Sequence, residues 1–265
     1  MNTIYKGLPI HYEIQGEGFP LIFLHGFNES SAIWQKILPE LLAKYQCITI
    51  DLPGFGQSAL PDFLSTKYMA DAVRRVIDDL KLEKPTIIGH SMGGYVILEL
   101  IQNYPNLASA AGLFHSTAYS DSEEKKSNRT KTYEFLERNP VDLFFKTFIQ
   151  GLFAPFNFKP SMTNQVETMV YQTEKKSVMA AILAMKERED KTSVLKNSNI
   201  PWLFIAGKHD SLISLDQITL QSSFCKKSMV EILKNSGHLG MIEETSASQA
   251  AIIKFVEWVN VLQKR

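Results

Sequence analysis

Short apolar runs at residues 21–24, 46–50, 85–89, 109–114, 201–206 and 228–234 recur along the chain, with helical patterns between most of them. That alternation constrains the fold more than any other feature. The runs are shorter than helices and lack the polar alternation of a sheet with one wet face, so they read as strands buried on both sides. Helices in the connections supply the cover, which makes the chain α/β with a mostly parallel sheet. Residues 2–15 add two alternating runs split by Gly7-Leu8-Pro9, a hairpin, for eight strands in all. At 265 residues a single large α/β domain is the default.

Helices are expected at 31–44, with Ile33, Ile37, Leu38, Leu41 and Leu42 on one face, at 66–80 and at 245–262. One region breaks the alternation. Residues 115–199 contain no clear strand and show helical patterns at 121–138, 140–151, 161–172 and 174–189. A structureless loop of that length would be unusual, so the segment is read as an all-helical cap inserted into a core made of residues 1–114 and 200–265. Its hinges would fall at Ser116–Ser120 and Thr192–Asn199. The middle of the cap is rich in phenylalanine, most of which would form its own small core. Phe144, Phe145, Phe148 and Met185 are expected as walls over the catalytic crevice, an apolar roof suited to an apolar acyl or ring substrate.

Gly89-His90-Ser91-Met92-Gly93 reads G-x-S-x-G, after the run ending at Ile88 and before the apolar stretch Tyr95–Ile101. Strand, sharp turn, helix is the setting in which this pentapeptide lifts a nucleophilic serine, because glycines let the two elements pack closely. A serine hydroxyl needs a base within reach and an acid to orient that base. His90 sits beside the serine on the turn and should point elsewhere, and His11 lies in a strand-like segment. His238, on the glycine-flanked loop Ser236-Gly237-His238 after a strand, is the expected base. For the acid, Asp210 follows the run 201–206, at the carboxyl end of a strand where open α/β sheets place their sites. Asp121 competes but opens the polar run Asp121-Ser122-Glu123-Glu124, which reads as a solvated helix start; Asp216 reads as helical. The oxyanion donors should be the N–H of Met92 and that of Phe27, in the loop His25-Gly26-Phe27 after an early strand.

These stretches resemble the α/β-hydrolase superfamily: His25-Gly26-Phe27, Asp51 to Ser58, Gly89 to Gly94, Gly207-Lys208-His209-Asp210 and Gly237-His238 stand in its order and cover almost the whole chain. The resemblance implies Ser91 as nucleophile, Asp210 as acid, His238 as base, and Phe27 and Met92 as oxyanion donors. Haloalkane dehalogenases and epoxide hydrolases of this fold carry aspartate where this chain has Ser91, which disfavours those activities. The His-Gly-Gly-Pro-Gly loop of proline iminopeptidases and the His-Gly-Gly-Gly loop of lipases are absent. What remains is similar to small esterases, carbon–carbon bond hydrolases and cofactor-free perhydrolases.

The expectation is therefore a serine hydrolase working through an acyl-enzyme on a small apolar ester, without cofactor. The alternatives are carbon–carbon bond or peracid chemistry with the same triad, or a small-molecule receptor on a hydrolase scaffold. His25 and His115 also follow strands and could line the site; with His238 they could meet a metal, but no close ligand spacing supports one, and no metal is expected. Lys plus Arg and Asp plus Glu are both 28, a balance that does not suggest nucleic-acid binding. Cys47 reads as a core residue, and two cysteines do not make a disulfide framework. No leader is visible at Met1–Lys6 and no apolar run is long enough to span a bilayer, so a cytoplasmic monomer or homodimer is expected.

Overall fold

The computed structural model describes residues 1–263. Strands β1 (Asn2–Tyr5) and β2 (Leu8–Gln15) form the hairpin, turning over Lys6 and Gly7, both left-handed (φ 48° and 81°) as a type I′ turn requires. Then come β3 (Phe19–Leu24), β4 (Tyr45–Ile50), α1 (Thr66–Asp79), β5 (Thr86–His90), α2 (Met92–Asn103) and β6 (Ala110–Phe114). Five helices follow: α3 (Glu123–Arg138), α4 (Val141–Leu152), α5 (Pro160–Gln172), α6 (Lys175–Lys186) and α7 (Thr192–Asn197). The chain closes with β7 (Trp202–Gly207), α8 (Leu215–Ser222), β8 (Ser228–Leu233), α9 (Gly240–Glu243) and α10 (Thr245–Gln263). No helix among the described residues is long and apolar enough to cross a membrane.

The sheet has eight strands in the order β1-β2-β4-β3-β5-β6-β7-β8, antiparallel through β1, β2 and β4 and parallel from β4 onward. Ile22, Ile87, Ile88, Leu113 and Phe204 in its middle are fully buried, as expected of strands covered on both faces. β3 lies between β4 and β5, so the loops leaving β3 and β5 depart to opposite sides. That switch in strand order opens a crevice at the carboxyl edge of the sheet.

The segment 31–44 is not the helix its periodicity suggests. It forms two short 3₁₀ turns, Ser31–Trp34 and Leu38–Glu40. Pro39 has no N–H to give and its ring would clash with the preceding turn of an α-helix. The apolar face survives in the looser backbone: Ile33, Ile37, Leu38 and Leu41 are all buried.

Between β6 and β7 the described residues contain helices and no strand. The connection at 192–199 is not an open hinge, because 192–197 is helical. The Asp190 carboxylate accepts from Thr192 N–H (3.0 Å) and Oγ1 (2.6 Å), starting the helix, and Val194 and Leu195 bury against the body. The two ends of this insertion lie side by side. Lys191 N–H donates to Ala118 O at 2.7 Å, and the Asp121 carboxylate pairs with Arg188 at 2.9 Å.

Candidate active site

Ser91 stands between β5 and α2 with φ 47° and ψ −111°, outside the regions an L-residue favours. Its neighbours hold it there. Ser91 N–H donates to Phe114 O (2.9 Å), and its carbonyl accepts from Ser116 Oγ (2.7 Å) and Gly94 N–H (2.9 Å). The flanking glycines are required by space: a Cβ on Gly89 would come within 2.5 Å of the Gly93 backbone, and one on Gly93 within 2.6 Å of Leu24 O at the end of β3. Met92 is the first residue of α2, so its N–H has no intrahelical acceptor. Among the described residues the Phe27 N–H donates to no protein acceptor either.

Asp210 leaves β7 and turns back beneath His238, the two side chains both about 1–2% exposed. His238 Nδ1–H donates to Asp210 Oδ2 at 2.8 Å, leaving Nε2 for the cavity on which Ser91 also opens. Oδ2 takes a second contact from His115 Nδ1 at 3.1 Å, and Oδ1 accepts from Leu212 N–H (2.8 Å) and Ile213 N–H (3.1 Å). Burial works to raise the Asp210 pKa. The two histidines outweigh it and hold the carboxyl far below the usual carboxylate range. Burial likewise works to lower the His238 pKa, and the Asp210 charge and hydrogen bond outweigh it, so the imidazole titrates above its usual value. His115 Nε2 faces Gly240 N–H at 3.2 Å, which puts its proton on Nδ1, toward Asp210. Gly207 N–H, 3.2 Å from that Nδ1, gains nothing from this tautomer; the other two contacts decide for it. Fully buried, His115 is pushed down to about 4, with Asp210 opposing the shift.

The loop carrying His238 is held from both sides. Glu243 Oε1 accepts from Gly237 N–H (2.8 Å) and Leu239 N–H (3.2 Å), while Oε2 accepts from Ala154 N–H and Asn157 Nδ2 (both 2.9 Å). His238 N–H itself donates to Leu152 O at the end of α4, 2.7 Å away. The helical insertion thus supports the histidine backbone directly.

Above these groups lies a cavity of about 270 Å³. Phe27, Phe144, Phe148, Leu152, Ile182 and Met185 line it, with Phe144 stacked on Phe148 and Phe27 edge-on to Phe148, each 5.4 Å between centroids. Four sequence expectations need correction here. Phe145 does not face the cavity: it is fully buried against Tyr171 of α5 (5.5 Å). One residue turns a helix by about 100°, so the face that carries 144 and 148 cannot carry 145. His25 does not line the cavity either. It is fully buried, its Nδ1–H on Gly26 O (2.7 Å) and its Nε2 accepting from Leu52 N–H (2.9 Å), so it braces the loop after β3 and is not grouped with His115 and His238. Finally, the roof is not wholly apolar. Asp121, Lys125, Asn128, Arg129 and Thr132 form a polar wall along the start of α3. Asp121 is buried, not solvated, and is shared by Arg129 and Arg188, which outweigh burial and keep its carboxyl below the ordinary range.

His90, expected to point away, also lines the cavity. Its Nδ1 lies 2.9 Å from Glu29 Oε2 and its Nε2 2.8 Å from His238 O. Glu29 Oε2 accepts from Gly26 N–H at 2.6 Å as well, and Glu29 is 2% exposed. Burial opposes ionisation of Glu29, but His90 and the Gly26 N–H hold its pKa down. Glu29 and Glu243 went unrecognised in the sequence, and His115, expected to line the site, instead bonds the Asp210 carboxylate from behind. The one local signal is a glutamate directly after the turn residue Asn28 (φ 58°), in a loop that otherwise has no charge. The side chains that bring possible metal donors together are His115, Asp210 and His238, within 4.8 Å of one another, and their facing atoms are those already engaged in the Asp210 hydrogen bonds.

A family model described as the alpha/beta hydrolase fold matches residues 20–245. The chain belongs to the α/β-hydrolase family. This α/β-hydrolase resembles a thermophilic esterase from Thermogutta terrifontis, with a TM-score of 0.90 and 27% identity over 97% of both chains. It is 25% identical, over 94% of its length and 88% of the relative's, to a 2-hydroxy-6-oxo-6-(2'-aminophenyl)hexa-2,4-dienoic acid hydrolase from Metapseudomonas resinovorans. Over 96 residues, 36% of this chain and 37% of the other, it is 40% identical to a pimeloyl-[acyl-carrier protein] methyl ester esterase from Legionella pneumophila. It is a hydrolase of that family.

Proposed function

We propose that this α/β-hydrolase cleaves small carboxylic esters through an acyl-enzyme on Ser91. The observation that carries the reading is the 2.8 Å bond from His238 Nδ1–H to a fully bonded Asp210 carboxylate, beneath a cavity that Ser91 enters from a strained turn. With Nδ1 protonated, Nε2 is the basic nitrogen and takes the Ser91 proton as the hydroxyl attacks the carbonyl. Asp210 stabilises the imidazolium that forms. The N–H groups of Phe27 and Met92 receive the oxyanion, the latter aided by the positive end of α2. His238 then protonates the leaving alcohol and activates water to release the acid.

Residues 115–199 act as a cap that sets which ester fits. The apolar wall takes the hydrocarbon part of the substrate, and the polar face of α3 favours a substrate whose other end accepts hydrogen bonds. The likeness to a carbon–carbon bond hydrolase and the polar wall together support a second reading, the same triad acting on a ring-opened diketone. Fluorophosphonate labelling combined with hydrolysis of p-nitrophenyl esters of increasing acyl length tests the first reading. Labelling at Ser91 and loss of turnover by several orders of magnitude in Ser91→Ala are expected. Turnover retained in Ser91→Ala would remove the acyl-enzyme, and labelling without turnover on any ester or diketone would favour a receptor.

A further inference from the structure

Three parts of the acyl-transfer machinery come from distant stretches of chain: the loop after β3 with the Phe27 N–H, the turn with Ser91, and the loop with His238. Two buried side chains join all three. Glu29 Oε2 holds Gly26 N–H, the peptide just before Phe27, at 2.6 Å, and meets His90 Nδ1 at 2.9 Å. His90 immediately precedes Ser91, and its Nε2 meets the His238 carbonyl at 2.8 Å. The contact with the loop is close enough that a Cβ on Gly26 would lie 2.6 Å from His90 Nδ1 and 2.9 Å from Glu29 Oε2.

Proton counting makes the arrangement specific. A carbonyl can only accept, so His90 Nε2 carries a proton. Gly26 N–H already donates to Oε2. One further proton lies between Oε2 and Nδ1, and wherever it rests the pair is neutral and every contact is satisfied. A glutamine cannot reproduce this. If its amide oxygen accepts from Gly26, His90 must be an imidazolium without a counter-charge to meet it; if its NH₂ turns to His90, it opposes Gly26 N–H.

We infer that Glu29 and His90 are positioning residues that fix the oxyanion-binding loop relative to the nucleophile and the base. The inference rests on the acyl-transfer reading above. The pair touches no reacting atom, so its loss should be felt when charge develops on the substrate oxygen and only slightly in ground-state binding.

The test compares Glu29→Gln and Glu29→Ala with the unaltered chain and Ser91→Ala, using p-nitrophenyl butyrate. Removing a whole oxyanion donor costs about 10²–10³ in kcat, so displacing one should lower kcat by about 10- to 100-fold in both Glu29 variants, with KM changed by no more than about threefold. Affinity for an alkyl trifluoromethyl ketone, whose adduct carries the same oxyanion, should fall in parallel when measured well below the melting temperature of each variant, and the melting temperature of Glu29→Gln should fall as well, because one buried contact is lost. A purely structural role would move the melting temperature and leave the ketone affinity of the folded fraction intact. Glu29→Asp, which keeps the charge but is too short to span both partners, serves if the amide variant does not fold. A folded Glu29 variant with kcat and ketone affinity within about twofold of the parent overturns the inference. Turnover retained in Ser91→Ala instead overturns the acyl-transfer reading beneath it.

Discussion

Replacing Asp210 by Asn is the sharpest probe of this site. The carboxylate accepts four hydrogen bonds, two on each oxygen: from His238 and His115 on Oδ2, and from the Leu212 and Ile213 N–H groups on Oδ1. An amide has one acceptor end. Turned with its oxygen to the backbone pair, it presents NH₂ to two ring nitrogens that both carried protons. His238 must then shift its proton to Nε2, which abolishes the base that would receive the Ser91 proton. The wrong tautomer in a serine triad lowers kcat by about 10⁴, or roughly 5.5 kcal/mol of transition-state stabilisation. His115 cannot shift as readily, because Gly240 N–H occupies its Nε2. One buried donor is therefore left without an acceptor, costing about 1–3 kcal/mol of folding stability. Steady-state hydrolysis of p-nitrophenyl butyrate reads the first effect and chemical denaturation the second. Asp121→Asn is the control: it weakens the Arg129 and Arg188 contacts without touching a ring nitrogen of His238. A kcat for Asp210→Asn within about tenfold of the parent, or a larger loss in Asp121→Asn, would refute the reasoning.

On α4, Phe145→Ala should cost about 3–5 kcal/mol of stability with little change in KM. Phe148→Ala, which opens the cavity wall, should lower kcat/KM for longer acyl esters by about tenfold with a smaller stability loss; thermal melts and an acyl-length series distinguish the two. Gly93→Ala forces a methyl against Leu24 O and should destabilise the fold by about 1–3 kcal/mol, read by denaturation, while displacing the loop that bears the Phe27 N–H. Because His238 titrates above its usual 6.5 and must be neutral to act as base, kcat/KM should still be rising with pH above 6.5; a plateau already complete there would contradict the Asp210 pairing. Stability follows from the same groups. Asp210, Asp121 and Glu29 are held low, so each stabilises above its unfolded pKa of about 4 and loses that contribution as pH falls through its folded value. His238, held high, stabilises below 6.5 and loses this as pH rises through its folded pKa; His115, near 4, opposes folding as pH drops from 6.5 toward 4. A melting temperature that stays flat between about pH 6 and pH 3 would contradict these assignments.

The sheet and the candidate site groups were legible because each depends on local pattern. Buried strands announce themselves as apolar runs, and Ser91 follows directly from one of them, Phe27 and Asp210 three residues after two others, and His238 a few residues beyond a fourth. What could not be read depends on pairs far apart in the chain. Glu29 meets His90 across 61 positions and His115 meets Asp210 across 95, and neither pair leaves a spacing to recognise. Asp121 looked solvated because its partner Arg188 lies at the far end of the insertion. The error at Phe145 was one of helical phase, and the error at 31–44 was to weigh apolar periodicity above a single proline.

The two ends of the helical insertion meet through Lys191 with Ala118 and through Arg188 with Asp121. A segment whose ends are already joined imposes little closure cost on the rest of the chain, and that cost grows only slowly with its length. The body of the protein can therefore accept a longer, shorter or foreign insertion so long as this clasp is kept. Change of substrate and preservation of chemistry become separable events in the history of such a chain. The same clasp marks where to cut when grafting the insertion of one relative onto the sheet of another. Such a graft must rebuild the Leu152 carbonyl beneath His238 and the Ala154 and Asn157 donors on Glu243, since the insertion also carries part of the support for the His238 loop.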